Sequence, residues 1–156
     1  MLATLRRARY RKDMSQPEFN LAEYVLCAGQ DTPEKPALLV VSHDHADEWT
    51  YARLSQAVRG TATGLLAQGL TPGDIVLMRL GNTPDFPIAY LGALAAGLVP
   101  VPTAAALTNT EVAKIIASLN PAVILNDPEV SCPANTPRID LADLRAMRNL
   151  PPAPWH

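Results

Sequence analysis

The chain has few of the residue types that build reactive sites. It contains three histidines and two cysteines, and aromatic residues make up 5% of its 156 positions. No apolar run reaches the roughly 18 residues of a membrane-spanning helix. The patterns GxGxxG, HExxH and GxSxG are absent, as is GxxxxGK followed by serine or threonine. These absences argue against a membrane span, a P-loop, a dinucleotide-binding loop, a zinc protease motif and a nucleophile elbow.

The overall composition is that of a globular domain. Apolar residues make up 48% of the chain, charged residues make up 18%, and the mean hydropathy is +0.04. Disordered chains are less apolar, and this length is enough for one domain with a sizeable core. Cys27 and Cys132 lie far apart without CxxC spacing, which favours two unpaired thiols and a cytoplasmic location. No secretory leader is expected, because no apolar segment follows the N-terminal arginines.

The three histidines give no convincing metal or catalytic set. His43 and His45 form an HxH pattern between two short strand patterns, with Asp44 and Asp47 beside them. No third cluster of ligand residues follows, so a polar hairpin turn is the preferred interpretation. His156 is the last residue, which makes it a poor candidate for a Ser-His-Asp or Cys-His apparatus. We assign no metal site and no catalytic residue.

Positive charge is concentrated at the start of the chain, although the net charge is −2. Five of the thirteen basic residues fall in the first twelve positions: Arg6, Arg7, Arg9, Arg11 and Lys12. A basic arm can contact nucleic acid or anionic lipid, but the remaining sequence shows no basic face to extend such a contact. Trp49 and Trp155 are too few for a base-stacking platform. We expect residues 1–16 to be a disordered tail, and we expect no nucleic-acid partner.

Short apolar strands alternate with helical patterns over residues 17–150. The strands are expected at Ala37–Ser42, Glu48–Tyr51, Ile75–Leu80, Val99–Val101 and Ala122–Leu125. The helices are expected at Leu21–Ala28, Tyr51–Gln68 and Leu141–Met147, with two more that begin at the Gly81–Asp85 turn and at the Thr108–Glu111 capping box and carry apolar positions up to Leu98 and Leu119. This order predicts an α/β fold, with a mainly parallel sheet flanked by helices and a small antiparallel hairpin. Residues 151–156 are expected to leave the domain as a stiff, proline-rich segment.

The stretch from Thr83 to Thr103 is the least charged helix and strand of the chain. Apolar residues recur at helical spacing, at Ile88, Leu91, Leu94, Ala95 and Leu98, and the positions between them are mostly alanine or glycine. A helix with so little charge is normally buried. The strand that follows contains Pro100 and Pro102, which cannot donate to a β-ladder. We therefore expect that strand to be short or to lie at an edge of the sheet.

Local signals define several helix ends and one close contact. Asn20 is a plausible N-cap, and Thr108 to Glu111 has the spacing of a capping box. Gly60 and Gly64 lie four apart on a long helix, where each costs about 1 kcal/mol relative to alanine. That cost predicts that another backbone packs against this helix. The first helix is expected to have its apolar side at Leu21, Val25 and Ala28.

The turn from Gly81 to Asp85 joins a strand to a helix, where open α/β sheets usually bind their ligands. A phosphate could be held there by free N–H groups. Pro84 and Pro87 remove two of those donors, and Asp85 places negative charge where the anion would sit. The same residues suit a helix start, with Asn82 or Thr83 as the cap and the acid at the positive end of the dipole. We therefore favour a structural role for this turn.

Several segments, in order, resemble the adenylate-forming acyl-CoA synthetases, the superfamily that includes luciferase and peptide-synthetase adenylation domains. The Leu91–Thr103 stretch is similar to the second core motif of that family, and the Trp49–Leu54 stretch resembles the first. The resemblance extends over about Phe19 to Leu125. It includes these further segments: Phe19–Ala22, Pro33–Ala37, Gly69–Val76 and Thr108–Ile124.

The resemblance implies an enzyme that joins a carboxylic acid to AMP with Mg-ATP and then transfers the acyl group to the thiol of CoA or of a carrier. In that family, the phosphate-binding loop, the acidic ribose contact and the lysine of the mobile C-terminal domain come later in the chain. None of those motifs occurs in these 156 residues, so no catalytic, cofactor-binding or metal-binding residue is assigned here. The resemblance is to the N-terminal subdomain, and we expect this chain alone to be inactive.

The expected partners follow from the same resemblance. They are the remainder of the enzyme, toward which residues 151–156 would lead, and its carboxylic acid and CoA. Apolar surface that this remainder would cover is expected to drive self-association.

The Phe19–Ala22 and Leu91–Pro102 stretches favour the benzoate–CoA ligase type. Two alternatives stay open: a non-catalytic α/β interaction module that retains the fold, and an unrelated flavodoxin-like binding domain.

Overall fold

The computed structural model describes residues 19–41, 43–44, 46–133 and 136–156. The basic tail expected at residues 1–16 lies outside the described residues, as do Ser42 and His45. Within the described part, no helix is both long and apolar enough to cross a membrane.

The helices and strands alternate as the sequence predicts. The helices are α1 (Leu21–Cys27), α2 (Tyr51–Ala67), α3 (Asp85–Ala95), α4 (Asn109–Leu119) and α5 (Leu141–Met147). The strands are β1 (Pro36–Val41), β2 (Ala46–Thr50), β3 (Ile75–Arg79), β4 (Val99–Pro102), β5 (Val123–Asn126) and β6 (Arg138–Asp140). The α/β fold class is confirmed. The short strand β6 was not predicted, because its three residues carry only one apolar side chain.

The four later strands form one parallel sheet in the order β4-β3-β5-β6, and β1 and β2 form a separate antiparallel hairpin. The prediction that the proline-containing strand lies at an edge is confirmed by β4. From β3 the chain moves to β4 on one side, and it then returns through α4 to β5 on the other side. The strand order therefore reverses between β3 and β5, which is where open α/β sheets usually form a binding crevice.

The two faces of the parallel sheet are covered unequally. Residues two apart on a strand point to the same face. Val76 and Met78 of β3 belong to the large core that also contains side chains of α2, α3 and α5. Leu77 of β3 and Ile124 of β5 instead pack against Val112 of α4 in a smaller cluster. Most of the apolar contact area therefore lies on the α2 and α3 side, while α4 covers the opposite face.

Helix α3 is buried, as predicted, at Ile88 of its apolar stripe and also on its small-residue side. Leu91 and Leu94 are only half-buried, whereas Ala89 and Ala93 are almost completely inaccessible. Gly92 faces α2, where an added Cβ would lie 2.8 Å from Cγ2 of Thr61. The small side chains thus allow α3 to approach α2 closely, and the larger leucines fill space farther from that contact.

The prediction for the buried side of α1 is wrong. Leu21 and Val25 are exposed, and the helix buries Ala22 and Leu26 instead. The predicted cap is confirmed, because the Oδ1 atom of Asn20 accepts hydrogen bonds from the N–H groups of Ala22 and Glu23. The Nδ2 atom of the same side chain donates to carbonyl oxygens of α3 and of the chain end, and this orients the helix with its other side inward.

The close contact predicted at the glycines of α2 is confirmed, and its partner is α5 with the residue that follows it. A Cβ on Gly60 would lie 2.6 Å from the carbonyl oxygen of Arg148 and 2.8 Å from that of Met147. A Cβ on Gly64 would overlap the side chain of Met147.

The capping box of α4 is also confirmed, since the side chains and N–H groups of Thr108 and Glu111 bond each other reciprocally.

Residues 150–156 lie extended along α2. Their carbonyl oxygens accept hydrogen bonds from Gln56, Arg59 and Thr63, and the N–H of Ala153 returns a bond to the carbonyl of Arg59. Trp155 is half-buried against the core, with the guanidinium of Arg59 5.2 Å from its ring centre. The segment is therefore attached to the domain. Its expected role as a path to a further subdomain stays a prediction.

The contact at Gly60 makes a prediction that opposes helix propensity. Alanine is favoured over glycine in a helix by about 1 kcal/mol. We expect Gly60→Ala nevertheless to lower the free energy of unfolding by about 1–3 kcal/mol, because its methyl group would overlap backbone carbonyls. Chemical denaturation followed by circular dichroism measures the change. Ser118→Ala on the exposed side of α4 is the control and should cause no loss. A Gly60→Ala variant at least as stable as the parent would contradict the packing described here.

Candidate functional site

The carboxyl ends of the parallel strands bring together the charged residues that the fold buries. Arg79 is the last residue of β3. Asn126 is the last residue of β5, and Asp127 follows it. The turn after β3 leads to Asp85 at the start of α3. Arg79, Asp85, Asn126 and Asp127 are all less than one-tenth exposed. This edge is therefore the candidate site, at the position that the strand order favours.

Arg79 is fully buried and holds two loops at this edge. Its Nη1 atom donates to the carbonyl of Ala104 at 2.6 Å and to the hydroxyl of Thr103 at 3.2 Å. Its Nη2 atom donates to the carbonyl of Ser131 at 2.6 Å and to that of Leu107 at 3.2 Å. The loop before α4 and the loop after β5 are thus fixed by one guanidinium. Burial lowers the pKa of Arg79 below its usual value.

Sequence reasoning missed Arg79, and a weak signal was available. Arg79 follows four apolar residues of a buried strand. A charged side chain at the end of such a strand usually reaches solvent, so its burial was not expected. Carbonyl groups of non-helical loops need donors, and both loops that flank the α4 face are such segments. An arginine with five donors meets that need, but the sequence does not state which loops will surround it.

Asp85 is the second buried charge, and two arginines of the α5 region neutralise it. The Nη2 and Nε atoms of Arg145 donate to the two carboxylate oxygens of Asp85 at 2.8 and 3.1 Å. Arg148 donates to the same carboxylate. The hydroxyl of Thr83 donates to it at 2.8 Å. The interaction ties the turn after β3 to α5, which is 60 residues away in the chain.

These partners determine the protonation of Asp85. Burial alone would raise the pKa of its carboxyl group. The hydrogen bonds from Arg145, Thr83 and Arg148 outweigh that effect, together with the positive charge of Arg148, and lower the pKa to about 2. The same contact raises the pKa of Arg145. Asp85 is therefore a fixed negative charge at neutral pH, and it is not suited to take up a proton there.

The arginines line an open cleft of about 380 Å³ beside the hairpin. Trp49 forms one wall and is almost fully buried, with its Nε1 atom donating to Asp47 at 2.9 Å. The guanidinium of Arg53 stacks 3.6 Å above the Trp49 ring, and it also contacts Asp47. Both aspartates of the cleft thus already contact arginines. The cleft is charged, but its charges largely satisfy one another.

The turn does not fit a bound nucleotide phosphate. Asp85 holds its negative charge at the helix start, where a phosphate would have to lie, and Pro84 and Pro87 lack N–H groups. Pro84 occupies the N-cap position, and no side chain caps the helix. The expectation that Asn82 or Thr83 would cap α3 is therefore wrong. The hydroxyl of Thr83 donates to the Asp85 carboxylate instead.

The HxH pattern is not assembled into a metal site in the described part of the chain. His43 lies exposed between β1 and β2, and His45 lies outside the described residues. The described ranges contain no group of three or more histidine, cysteine, aspartate or glutamate side chains placed to hold a metal ion.

Together, these elements define an open parallel α/β domain whose polar residues gather at the carboxyl edge of the sheet. Sequence comparison then identifies the family. The family described as "AMP-binding enzyme" matches residues 27–150. The chain belongs to this family, and the resemblance to adenylate-forming synthetases is thereby confirmed at family level.

Individual relatives match shorter segments. The 4-coumarate--CoA ligase 3 of Oryza sativa subsp. japonica is 32% identical over 77 residues, which are 49% of this chain and 14% of that protein. The crotonobetaine/carnitine--CoA ligase of Citrobacter koseri is 32% identical over 82 residues, which are 53% of this chain and 16% of that protein. The chain thus spans about one-sixth or less of the length of these relatives.

Solved structures show the same fold at low sequence identity. A benzoate CoA ligase from Burkholderia xenovorans LB400 superposes with a TM-score of 0.75 and 22% identity, over 88% of this chain and 30% of that one. The N-terminal subdomain of NpsA from Klebsiella oxytoca superposes with a TM-score of 0.72 and 18% identity, over 88% of this chain and 34% of that one. At this identity the likeness shows the fold alone.

The Asp85 interaction predicts a specific loss of stability in acid. The pKa of Asp85 lies below its value in an unfolded chain, so the stabilisation is complete above about pH 4 and is lost as the pH falls toward 2. The shift of nearly two units corresponds to about 2 kcal/mol. We expect the parent to lose about 2 kcal/mol more than Asp85→Asn between pH 5 and pH 2 in urea titrations.

At pH 7, Asp85→Asn should itself cost about 2–3 kcal/mol, because Arg145 and Arg148 lose their shared partner. Asp143→Asn, on the exposed side of α5, is the control. Identical acid profiles for the parent and Asp85→Asn would contradict the ionised, arginine-bound state of this carboxylate.

Proposed function

We propose that this chain forms the N-terminal part of an AMP-forming acid–thiol ligase. The whole enzyme would convert a carboxylic acid and ATP to an acyl-adenylate and pyrophosphate, and would then transfer the acyl group to CoA. The observation that carries the proposal is the family match over residues 27–150. The two CoA ligases that match the sequence, each named for a carboxylic acid, support the same class of reaction.

In this proposal the 156 residues supply scaffold rather than reactive groups. The chain has no phosphate-binding loop motif, and the turn at the carboxyl edge of its sheet has its anion position filled by Asp85. The buried charges Arg79 and Asp85 fix loops and helix ends within the domain. ATP, Mg²⁺ and CoA would therefore be held by residues outside these 156. The location consistent with such a reaction is the cytoplasm, where ATP and CoA are found.

An aromatic acid is the substrate class we propose to test first. The benzoate–CoA ligase type is favoured by the Phe19–Ala22 and Leu91–Pro102 stretches. Relatives named for 4-coumarate and for 2,3-dihydroxybenzoate match 49% and 60% of the chain, respectively. No substrate-binding residue is assigned in this chain. Aliphatic acids and carnitine are therefore tested beside the aromatic acids as comparison substrates.

Acid-dependent ATP–pyrophosphate exchange tests the proposal. We expect the product of the complete reading frame to exchange pyrophosphate into ATP in the presence of its acid, and the 156-residue chain to show no exchange above the protein-free control. Thioester formation from CoA, followed by mass spectrometry, identifies the second step. Exchange by the isolated chain would overturn the scaffold role. A complete product that is inactive with every acid would favour the non-catalytic interaction module.

Self-association of the isolated chain is a further expectation of the proposal. The exposed side of α1 carries Phe19, Leu21, Tyr24 and Val25, which are 42–73% exposed. In the whole enzyme such apolar surface would be covered by a neighbouring part, and in the isolated chain a second copy can cover it. We expect sedimentation velocity to show an increasing association with concentration, and Leu21→Lys with Val25→Lys to reduce it.

Leu39→Lys, on the exposed side of β1, is the matched control because it removes a similar apolar side chain outside this surface. A chain that sediments as a monomer at every concentration would contradict the expectation. Equal loss of association in the control and in the α1 variant would place the contact elsewhere.

A further inference from the structure

A row of three polar side chains follows one side of α2. Tyr51, Ser55 and Arg59 are spaced four residues apart, so their Cβ atoms lie about 5–6 Å from one another along one face of the helix. All three are half-buried. They line an open pocket of about 270 Å³ between α1, α2 and the C-terminal segment. The pocket shares no residue with the cleft beside Asp85, and no residue of the parallel sheet lines it.

Arg59 is held in one orientation, but its two terminal nitrogen atoms are free. Its Nε atom donates to the carbonyl of Ala153 at 2.8 Å, and the N–H of Ala153 donates to the carbonyl of Arg59. In the described part of the chain, the Nη1 and Nη2 atoms bond no acceptor, and no carboxylate pairs with Arg59. The guanidinium therefore presents its Nη hydrogen atoms without a competing acid.

The hydroxyl groups of Tyr51 and Ser55 are also unpaired and can be reached. Neither has a hydrogen-bond partner within the described residues. Among those residues, the unbonded polar side-chain atoms that are sealed from solvent belong to Asn126 and Arg148. The free atoms of the α2 row are therefore open to solvent. Gly29 supports this row, because a Cβ there would overlap the Tyr51 ring that lies against it.

The lining of the pocket is positively charged and partly apolar. In the described part of the chain, Arg59 is the only charged residue that lines it. Asp31 and Glu34 of the neighbouring loop are exposed and do not line it. Apolar walls are provided by Leu26, Pro33 and Pro152. The volume lies just below the roughly 300–1,000 Å³ of pockets for drug-sized ligands, so a ligand here must be small.

We propose that this pocket binds a small carboxylate with a short apolar chain. Each Nη atom of Arg59 donates to one carboxylate oxygen, in the paired arrangement that guanidinium groups favour. The hydroxyl groups of Tyr51 and Ser55 donate to the remaining lone pairs. The apolar chain lies against Leu26 and the two prolines. The inference does not depend on the proposed ligase, because it concerns binding by this chain alone.

Titration of the ¹⁵N-labelled 156-residue chain with butyrate, followed by NMR, tests the proposal. We expect saturable shifts of the backbone amides of Gln30, Ser55 and Ala153. Butyramide has no charge, acetate has no apolar chain, and inorganic phosphate has neither a planar carboxylate nor an apolar part. Each should bind at least about threefold more weakly than butyrate. The absence of saturable shifts, shifts confined to Arg145 and Arg148, or equal or tighter binding of any of the three comparison ligands would overturn the proposal.

Removal of single hydroxyl groups tests the row without disturbing the fold. Ser55→Ala and Tyr51→Phe remove groups that have no partner within the described residues. Both variants should keep the stability of the parent, and each should weaken butyrate binding about threefold. Ser118→Ala, which removes an exposed hydroxyl on α4, is the matched control and should leave the affinity unchanged. Unchanged affinity in both row variants would overturn the proposal.

Removal of the guanidinium should have the larger effect. We expect Arg59→Gln to weaken butyrate binding at least about tenfold, because a charge-assisted pair of hydrogen bonds is lost. Arg138→Gln, an equal loss of charge on β6, is the control and should bind butyrate as the parent does. Circular dichroism shows whether Arg59→Gln remains folded. A folded Arg59→Gln variant with the affinity of the parent would overturn the proposal, and the hydroxyl variants decide the outcome if it unfolds.

Discussion

The close approach of α2 to its neighbouring helices is the constraint on which the rest of this domain depends. Residues without side chains make that approach possible on two sides of the helix. Gly92 of α3 leaves room for Thr61, and Gly60 leaves room for the carbonyls at the end of α5. Because α3 and α5 also contact the parallel sheet and its last strands, the position of α2 fixes the spacing of the whole layer. A domain with few aromatic residues can be packed in this way because backbone contacts replace large side chains.

In addition to this packing, the buried charges connect the turns and loops to the helices. Asp85 joins the turn after β3 to α5, and Arg79 joins the two loops on the opposite face. Each charge is surrounded by hydrogen-bonding partners, so the cost of burial is offset locally. The buried charges at the carboxyl edge of the sheet are consequently satisfied by hydrogen bonds. That property suits a supporting part of an enzyme better than a site that must change its charge during a reaction.

The sequence predicted the features that depend on local pattern. Four features follow from residue spacing or from the geometry of one residue type. They are the strand and helix order, the edge position of β4, the Thr108 capping box and the contact at Gly60. The buried side of α1 was predicted wrongly, because the long-range bonds of Asn20 decide how that helix is turned. The two arginine partners of Asp85 were missed for a similar reason.

The arrangement of the polar and charged residues at the candidate site was the feature least predictable from the sequence. Arg79 and Asn126 end different strands, and only the register of the sheet shows that they are neighbours. The Oδ1 atom of Asn126 is buried and has no donor among the described residues, and such a state has no signature in a sequence, since asparagine in that position is equally compatible with a turn. The fold of this chain was therefore largely predictable, whereas the chemistry of its pocket required coordinates.

The amide of Asn20 links the beginning of the described chain to its last residue. Its Nδ2 atom bonds the carbonyl of His156 at 2.6 Å, across 136 positions, and that of Leu94 at 2.9 Å. During synthesis, α1 emerges from the ribosome early, and its bond to Leu94 can form once α3 has emerged, whereas the bond to His156 requires residue 156 as well. The docking of α1 is therefore completed in two steps, and the second step follows the synthesis of every other helix of the described chain.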